Sequence, residues 1–292
     1  MGRCRSLLPL LLLAAAAAPA AAQAAAPAVA RDIPYGPDPA QRLDLSLPGA
    51  RGFPTLIFVH GGSLTHGDKA DEDYGAVCAP FPAAGIACAN VNYRLAPGHP
   101  WPAQAEDVAA AVAWVRKNIA ARGGDPERLF LLGHSSGATL VALVGADPRY
   151  LAAAGLATDA LRGVIPMGSI MWDDDLEQAV ERRGRAAVET AFRRDPDNAM
   201  FAGLDAYLDH WPIRHLRAGL PPYLFLIAEA EQEQPPVLRT NRVFAERAVA
   251  LGNRAEYRVL PGRTHDSAIR RMGEPGDAVF TIVRDFVTHA PQ

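Results

Sequence analysis

The chain has 292 residues, of which 49% are hydrophobic and 21% charged. That balance supports a sizeable core and excludes disordered, fibrous and collagen-like chains. The net charge is −3, from 29 basic and 32 acidic residues, so the broad positive field that nucleic acid or an anionic lipid surface needs is missing.

In chain order, the N-terminus is basic at Arg3 and Arg5, apolar from Leu7 to Ala18, and then rich in small residues up to Ala22-Gln23-Ala24. This is the order of a secretory signal peptide over residues 1–24, cleaved at an A-x-A site. The apolar run is well short of the roughly 20 residues a spanning helix needs. The expectation is a secreted or periplasmic mature chain, 25–292, with no stable membrane anchor. Cys4 precedes the apolar run and so cannot be a lipid-accepting cysteine that follows one.

Past the leader, Leu43-Asp44-Leu45-Ser46-Leu47 alternates as an edge-type strand. Thr55 to Val59 is a continuous apolar run ending at His60-Gly61-Gly62, as a buried parallel strand would. Residues 71–84 read as a helix and Ile86 to Tyr93 as another buried strand. Glu106 to Ala121 is a helix with Val108, Val112, Val115 and Ile119 on one stripe and Gly123-Gly124 past its end. Arg128 to Leu132 is a strand and Ser136 to Val144 a helix. Gly163 to Met167 and Tyr223 to Ala228 are strands, Asn241 to Leu251 a helix, Ala255 to Leu260 a strand and Asp277 to Thr288 a closing helix. Strands alternating with helices predict an α/β fold, a mostly parallel central sheet with helices on both faces. Residues 170–220 break the rhythm and read as a small polar cap over the carboxyl edge of the sheet, without a core of its own.

After leader cleavage two cysteines remain, Cys78 and Cys88. Export permits a bridge, but a helix position for Cys78 and a strand position for Cys88 favour two small buried thiols. There is no Cys-x-x-Cys and no His-Glu-x-x-His, and His210 and His215 are badly spaced for joint ligation on a helix. No metal and no cofactor are expected.

The chemistry concentrates at Gly133-His134-Ser135-Ser136-Gly137, a G-x-S-x-G run that leaves an apolar strand and opens a helix. In that setting the glycines permit a tight turn that lifts the Ser135 hydroxyl above the sheet and aims the Ser136 N–H at a reacting carbonyl. A serine needs a base to take its proton and a third group to orient that base. His265 follows the last apolar strand and precedes the closing helix, so it reaches the same edge. His60 and His134 flank glycine turns and read as scaffolding. The acid should follow the strand ending at Ala228, where Glu229-Ala230-Glu231-Gln232-Glu233 offers no aspartate. Glu231 is preferred by position, Glu233 is the alternative, and Asp173 after the preceding strand is a third candidate. Donors for an oxyanion are worth about 2.7–4 kcal/mol each. Gly62 and Ser63, in His60-Gly61-Gly62-Ser63, are the candidates together with Ser136.

With these pieces in this order, the sequence resembles the α/β-hydrolase superfamily. Within it the nearest likeness is to hormone-sensitive-lipase-like esterases and the neighbouring feruloyl-esterase and kynurenine-formamidase-like enzymes. The stretches that carry it include Arg42-Leu43-Asp44, His60 to Ser63, Asn92-Tyr93-Arg94-Leu95-Ala96-Pro97, Glu106-Asp107-Val108, Gly133 to Ala138 and Pro261 to His265. Two departures stand out: glutamate where such enzymes usually place aspartate, and Ser63 for a third glycine. The resemblance implies a small-molecule ester substrate and an acyl-enzyme on Ser135, with an arylformamidase or other amidase as runner-up and a non-catalytic binding fold as the remote alternative. It implies nothing about oligomeric state. Trp172, Phe201, Tyr207 and Trp211 in the insertion either wall the substrate pocket or only pack the insertion down.

Overall fold

The structure, a computed structural model, describes residues 28–289; the leader and its cleavage site lie outside them. Eight strands form one sheet: β1 (Ala28–Pro34), β2 (Arg42–Leu47), β3 (Phe53–Val59), β4 (Ala87–Val91), β5 (Gly124–His134), β6 (Gly163–Met167), β7 (Tyr223–Ala228) and β8 (Ala255–Leu260). Their order is β1-β2-β4-β3-β5-β6-β7-β8, parallel from β4 onward, with β1 and β2 antiparallel at one side. The helices are α1 (Ala103–Ile119), α2 (Ser136–Ala146), α3 (Pro148–Ala153), α4 (Asp174–Arg183), α5 (Arg185–Phe192), α6 (Leu204–Asp209), α7 (Pro235–Ala250), α8 (His265–Arg270) and α9 (Ala278–His289).

The central strands are buried on both faces, which explains their unbroken apolar runs. Successive residues feed opposite layers. Ile57, Val59, Leu129 and Leu131 pack with α1, α2 and α7, while Leu56, Phe58, Phe130 and Leu132 pack with Val279, Val283 and Val287 of α9. The α1 stripe of Val108, Val112, Val115 and Ile119 is fully buried, and the chain turns off past it at Gly123, whose φ is 94°.

Several sequence expectations need correction. The strand at 43–47 is interior, because β1 pairs outside it; β1 is nearly all exposed, so no burial pattern marks it. Residues 71–84 form a series of tight turns and one 3₁₀ segment, Pro82–Ala84, in place of the expected helix. Most of their paired amides bond three residues back, as in Tyr74 to Asp71 (2.9 Å) and Ala79 to Ala76 (3.0 Å), and Pro80 and Pro82 supply no amide to continue a helix. Cys78 therefore sits in a turn and is disulfide-bonded to Cys88 of β4 with Cα atoms 5.4 Å apart, so the two are not free thiols. Finally, α7 begins at Pro235, six residues before the expected start, and proline at the first position suits a helix opening.

Between β6 and β7, α4 and α5 are separated at Gly184, with φ 82°. Contrary to expectation, this segment holds a small core of its own, Val188, Phe192, Leu204 and Leu208. Arg239 of α7 pairs with Asp174 at the start of α4 and ties the segment to the main body.

Candidate active site

The strand-to-helix turn after β5 holds Ser135 at φ 54°, ψ −130°, a conformation that costs a non-glycine residue on the order of 1–3 kcal/mol and persists where packing overdetermines it. The packing is visible at the flanking glycines. A Cβ on Gly133 would lie 2.2 Å from the Gly137 carbonyl oxygen, and one on Gly137 would lie 2.4 Å from the carbonyl oxygens of Val59 and His60. The Ser135 N–H donates to the Met167 carbonyl at the end of β6, 2.9 Å. This bond fastens the turn to the neighbouring strand.

The loop after β3 runs directly over this turn. A Cβ on Gly61 would lie 2.7 Å from the Ser135 Cβ. Gly62 and Ser63 both have positive φ, 112° and 51°, and the Gly62 carbonyl accepts from the amides of Thr65 and His66, both at 3.0 Å. The N–H groups of Gly62, Ser63 and Ser136 find no acceptor among the described residues. Three unpaired donors beside a raised serine are what a developing oxyanion requires. His60 is fully buried, stacks on Tyr93 at 4.4 Å, and its Nδ1 lies 2.7 Å from the Gly61 carbonyl. It braces the loop.

Of the acid candidates, the structure brings Glu231 to His265. The His265 Nδ1–H donates to Glu231 Oε1 at 2.6 Å, while Glu231 Oε2 accepts from the Ala228 N–H at 2.7 Å. Glu231 is 2% exposed. Both of its oxygens are engaged, so its orientation is fixed, and it holds the His265 pKa above the ordinary histidine value against the opposing effect of burial. Glu233 is exposed. Asp173 instead caps α4 through the Leu176 N–H (3.0 Å) and accepts from the Tyr207 hydroxyl (2.8 Å).

Two positioning residues lie outside the predicted catalytic set. His134 was legible as scaffolding, and the structure gives it a definite contact: its Nε2–H donates to the His265 backbone carbonyl at 3.0 Å, and its Nδ1 faces the Tyr74 hydroxyl at 3.3 Å. Burial pushes its pKa down to about 3, so it stays neutral in that role. Gly168 had no signal at all. With φ 69°, it packs so close that a Cβ would sit 2.8 Å from Glu231 Oε1 and 3.0 Å from His265 Nδ1. Gly168→Ala is therefore expected to displace the carboxylate from the imidazole and lower kcat by roughly 10- to 100-fold, with loss of a few degrees in Tm from the strained φ. A kcat within twofold of wild type would show that the pair tolerates the displacement.

Ser135 opens into a cavity of about 260 Å³ whose walls include Ser63, Leu64, Trp101, Phe201, Tyr207 and Trp211. Three of the insertion's aromatics thus line the space beside the serine. Trp172 does not; it packs against the main core, with the Arg247 guanidinium 5.1 Å from its ring centre. Among the described residues there is no cluster of side chains suited to a metal ion, and no helix is long and apolar enough to cross a membrane.

Comparison with known proteins agrees with this architecture. Esterase LipC of Mycobacterium tuberculosis is 33% identical over 251 residues, 80% of this chain and 59% of the relative. The probable carboxylic ester hydrolase LipM of the same organism is 30% identical over 67% of this chain and 46% of its own length. The chain thus spans about half the length of these curated relatives. Esterase B from Lactobacillus rhamnosus superposes with a TM-score of 0.68 at 20% identity, over 90% of this chain and 84% of the other, a likeness of fold. A family described as alpha/beta hydrolase fold matches residues 56–269, and the chain belongs to that family.

Proposed function

We propose that the protein is an exported serine hydrolase of carboxylic esters. The observation that carries this reading is the 2.6 Å His265–Glu231 hydrogen bond at the same sheet edge as the strained Ser135 turn. Ser135 Oγ attacks the ester carbonyl as His265 Nε2 takes its proton. Glu231 keeps the imidazole in the tautomer with its proton on Nδ1 and stabilises the imidazolium that forms. The Gly62, Ser63 and Ser136 N–H groups hold the oxyanion. His265 then returns the proton to the leaving alcohol, and water, activated by the same imidazole, releases the acid. These steps call on no metal or cofactor. Relatives named as esterases support the ester reading, and N-formylkynurenine beside aryl acetates in one substrate panel tests the amidase alternative.

The substrates are small. The cavity beside Ser135 is about 260 Å³, and α4 and α5 expose mainly polar residues, a poor face for docking on aggregated lipid. Across 4-nitrophenyl esters from acetate to palmitate, kcat/KM is expected to fall beyond about six to eight acyl carbons, where added methylenes no longer find apolar wall, each worth about 0.8 kcal/mol when buried. A maximum at twelve carbons or more, or a rate jump past the solubility limit of the substrate, would contradict this.

Export rests on the leader pattern at residues 1–24, and the Cys78–Cys88 bridge is in keeping with an oxidising compartment. N-terminal sequencing of protein recovered outside the cytoplasm should begin near residue 25; an intact Met1 there would count against cleavage.

A further inference from the structure

The turns at residues 71–84 take no part in the proposed chemistry, yet two consecutive side chains, Asp73 and Tyr74, connect them to the helix that carries His265. Asp73 pairs with Arg270 at the far end of α8. Tyr74 meets His134, whose Nε2–H donates to the His265 carbonyl. The backbone of this segment is well held. Asn90 of β4 donates to the carbonyls of Lys69 (2.8 Å) and Tyr74 (3.1 Å), and the Cys78–Cys88 bridge fastens the following turn to the same strand. The Tyr74 ring is buried against Phe58, His60 and His134, with centroid distances of 5.9, 5.8 and 5.8 Å. A Cβ on Gly61 would lie 2.8 Å from the Tyr74 hydroxyl oxygen and 2.7 Å from the Ser135 Cβ, so hydroxyl and nucleophile flank one glycine.

The protons along this chain of contacts follow from the acceptors. The His265 carbonyl can only accept, so the ring proton of His134 is on Nε2. Burial keeps the imidazole neutral, and Nδ1 is then a lone pair in a buried place. Burial also raises the pKa of Tyr74, so its hydroxyl stays protonated and donates to Nδ1 at 3.3 Å. No other group pairs with Nδ1 among the described residues. Without the hydroxyl that lone pair is left buried and unpaired, a cost the ring relieves by turning or by moving its proton. Either change weakens the bond to the His265 carbonyl. The imidazole of His134 also packs on that of His265, with centroids 4.4 Å apart, so a turned ring disturbs the base twice over.

We propose that Tyr74 is a positioning residue for His265, its hydroxyl holding the His134 ring in the orientation and tautomer that fix the backbone of the base. The proposal rests on the hydrolase reading and adds a residue to its machinery. Tyr74 is not among the residues lining the cavity beside Ser135, so its effect belongs to turnover and not to substrate binding.

Tyr74→Phe removes the hydroxyl and keeps the ring. On 4-nitrophenyl acetate, kcat should fall about tenfold, as a small displacement of a catalytic base does, with KM within about twofold of wild type. A hydroxyl that acted through packing or through the Gly61 loop would add its loss to any change at His134. One that acts through His134 has nothing left to lose in His134→Phe, so the double variant should match His134→Phe in kcat to within about twofold. Nitrogen-15 NMR of the imidazoles reads the contact without turnover. In wild type His134 should show a protonated Nε2 and an unprotonated Nδ1, and in Tyr74→Phe the Nε2–H proton should shift upfield or exchange faster with water. A protonated Nδ1 in wild type, an unchanged Nε2–H signal in Tyr74→Phe, an unchanged kcat, or losses that multiply in the double variant overturns the proposal. The wild-type spectrum judges the contact even if a variant fails to fold. Failure of the wild-type protein to hydrolyse 4-nitrophenyl acetate would count against the hydrolase reading, and the spectra would still show whether Tyr74 holds His134.

Discussion

Ser135→Ala is expected to abolish hydrolysis of 4-nitrophenyl acetate, with kcat lower by roughly five to six orders of magnitude, as when the nucleophile of a serine triad is removed. The loss comes from the covalent route alone. The proposed oxyanion donors are backbone groups of Gly62, Ser63 and Ser136 and survive the substitution, so a small residual rate above water should remain. Stability should change little. Alanine meets the same strained backbone at φ 54° as serine does, and the turn's bond to Met167 runs through the main chain. The test needs kcat and a thermal melt on the same preparation. A variant that keeps a tenth of wild-type kcat would remove Ser135 from the role of nucleophile.

The second large effect is Glu231→Gln, for which kcat should fall by roughly two to four orders of magnitude, far more than for Glu233→Gln. Glutamine keeps the shape but not the charge that stabilises the imidazolium, and it can turn its amide to face Nδ1, favouring the wrong tautomer. The pH profile carries a separate signature. As the proposed base, His265 would act only when neutral, so kcat/KM is expected to rise with pH through its pKa. The hydrogen bond to Glu231 raises that pKa, which places the acid limb above the ordinary histidine value in wild type. Removing the carboxylate charge should shift the limb to lower pH even as the plateau collapses. Equal losses in both glutamate variants, or a larger loss for Glu233→Gln, would move the acid role away from Glu231. No loss in either would direct attention to Asp173.

The family motifs outside the site have visible structural work. Asp107, buried beneath the loop after β4, accepts from the Gln41 side chain (2.6 Å) and the Arg94 guanidinium (2.6 Å), and the Tyr35 hydroxyl donates to the Asn92 carbonyl (2.6 Å). The first two bonds tie the segment before β2 and the loop after β4 to α1, and the third joins those two segments to each other. Most of the residues that make the sequence resemble its family are therefore not chemical participants. They hold the loops that carry the participants.

By itself the sequence determined the alternation of strand and helix, the turn at Ser135 and the loop at His60 to Ser63, because these are local properties. A doubly buried strand must be apolar throughout, and a tight turn crossed by backbone must have glycine where a Cβ would strike a carbonyl. Tertiary structure alone decided the rest. Glu229, Glu231 and Glu233 share one polar run in which position along the chain only favoured Glu231, and what separates them is the direction each takes relative to His265, 34 residues beyond Glu231. The Cys78–Cys88 bridge depended on residues 71–84 folding as turns against β4, and β1 formed only because β2 offered an open edge. Gly168 acquires meaning only from the carboxylate and imidazole that lie across a gap from it. Periodicity records burial and backbone conformation along the chain, whereas hydrogen-bond partnership depends on distances across space that no local pattern encodes.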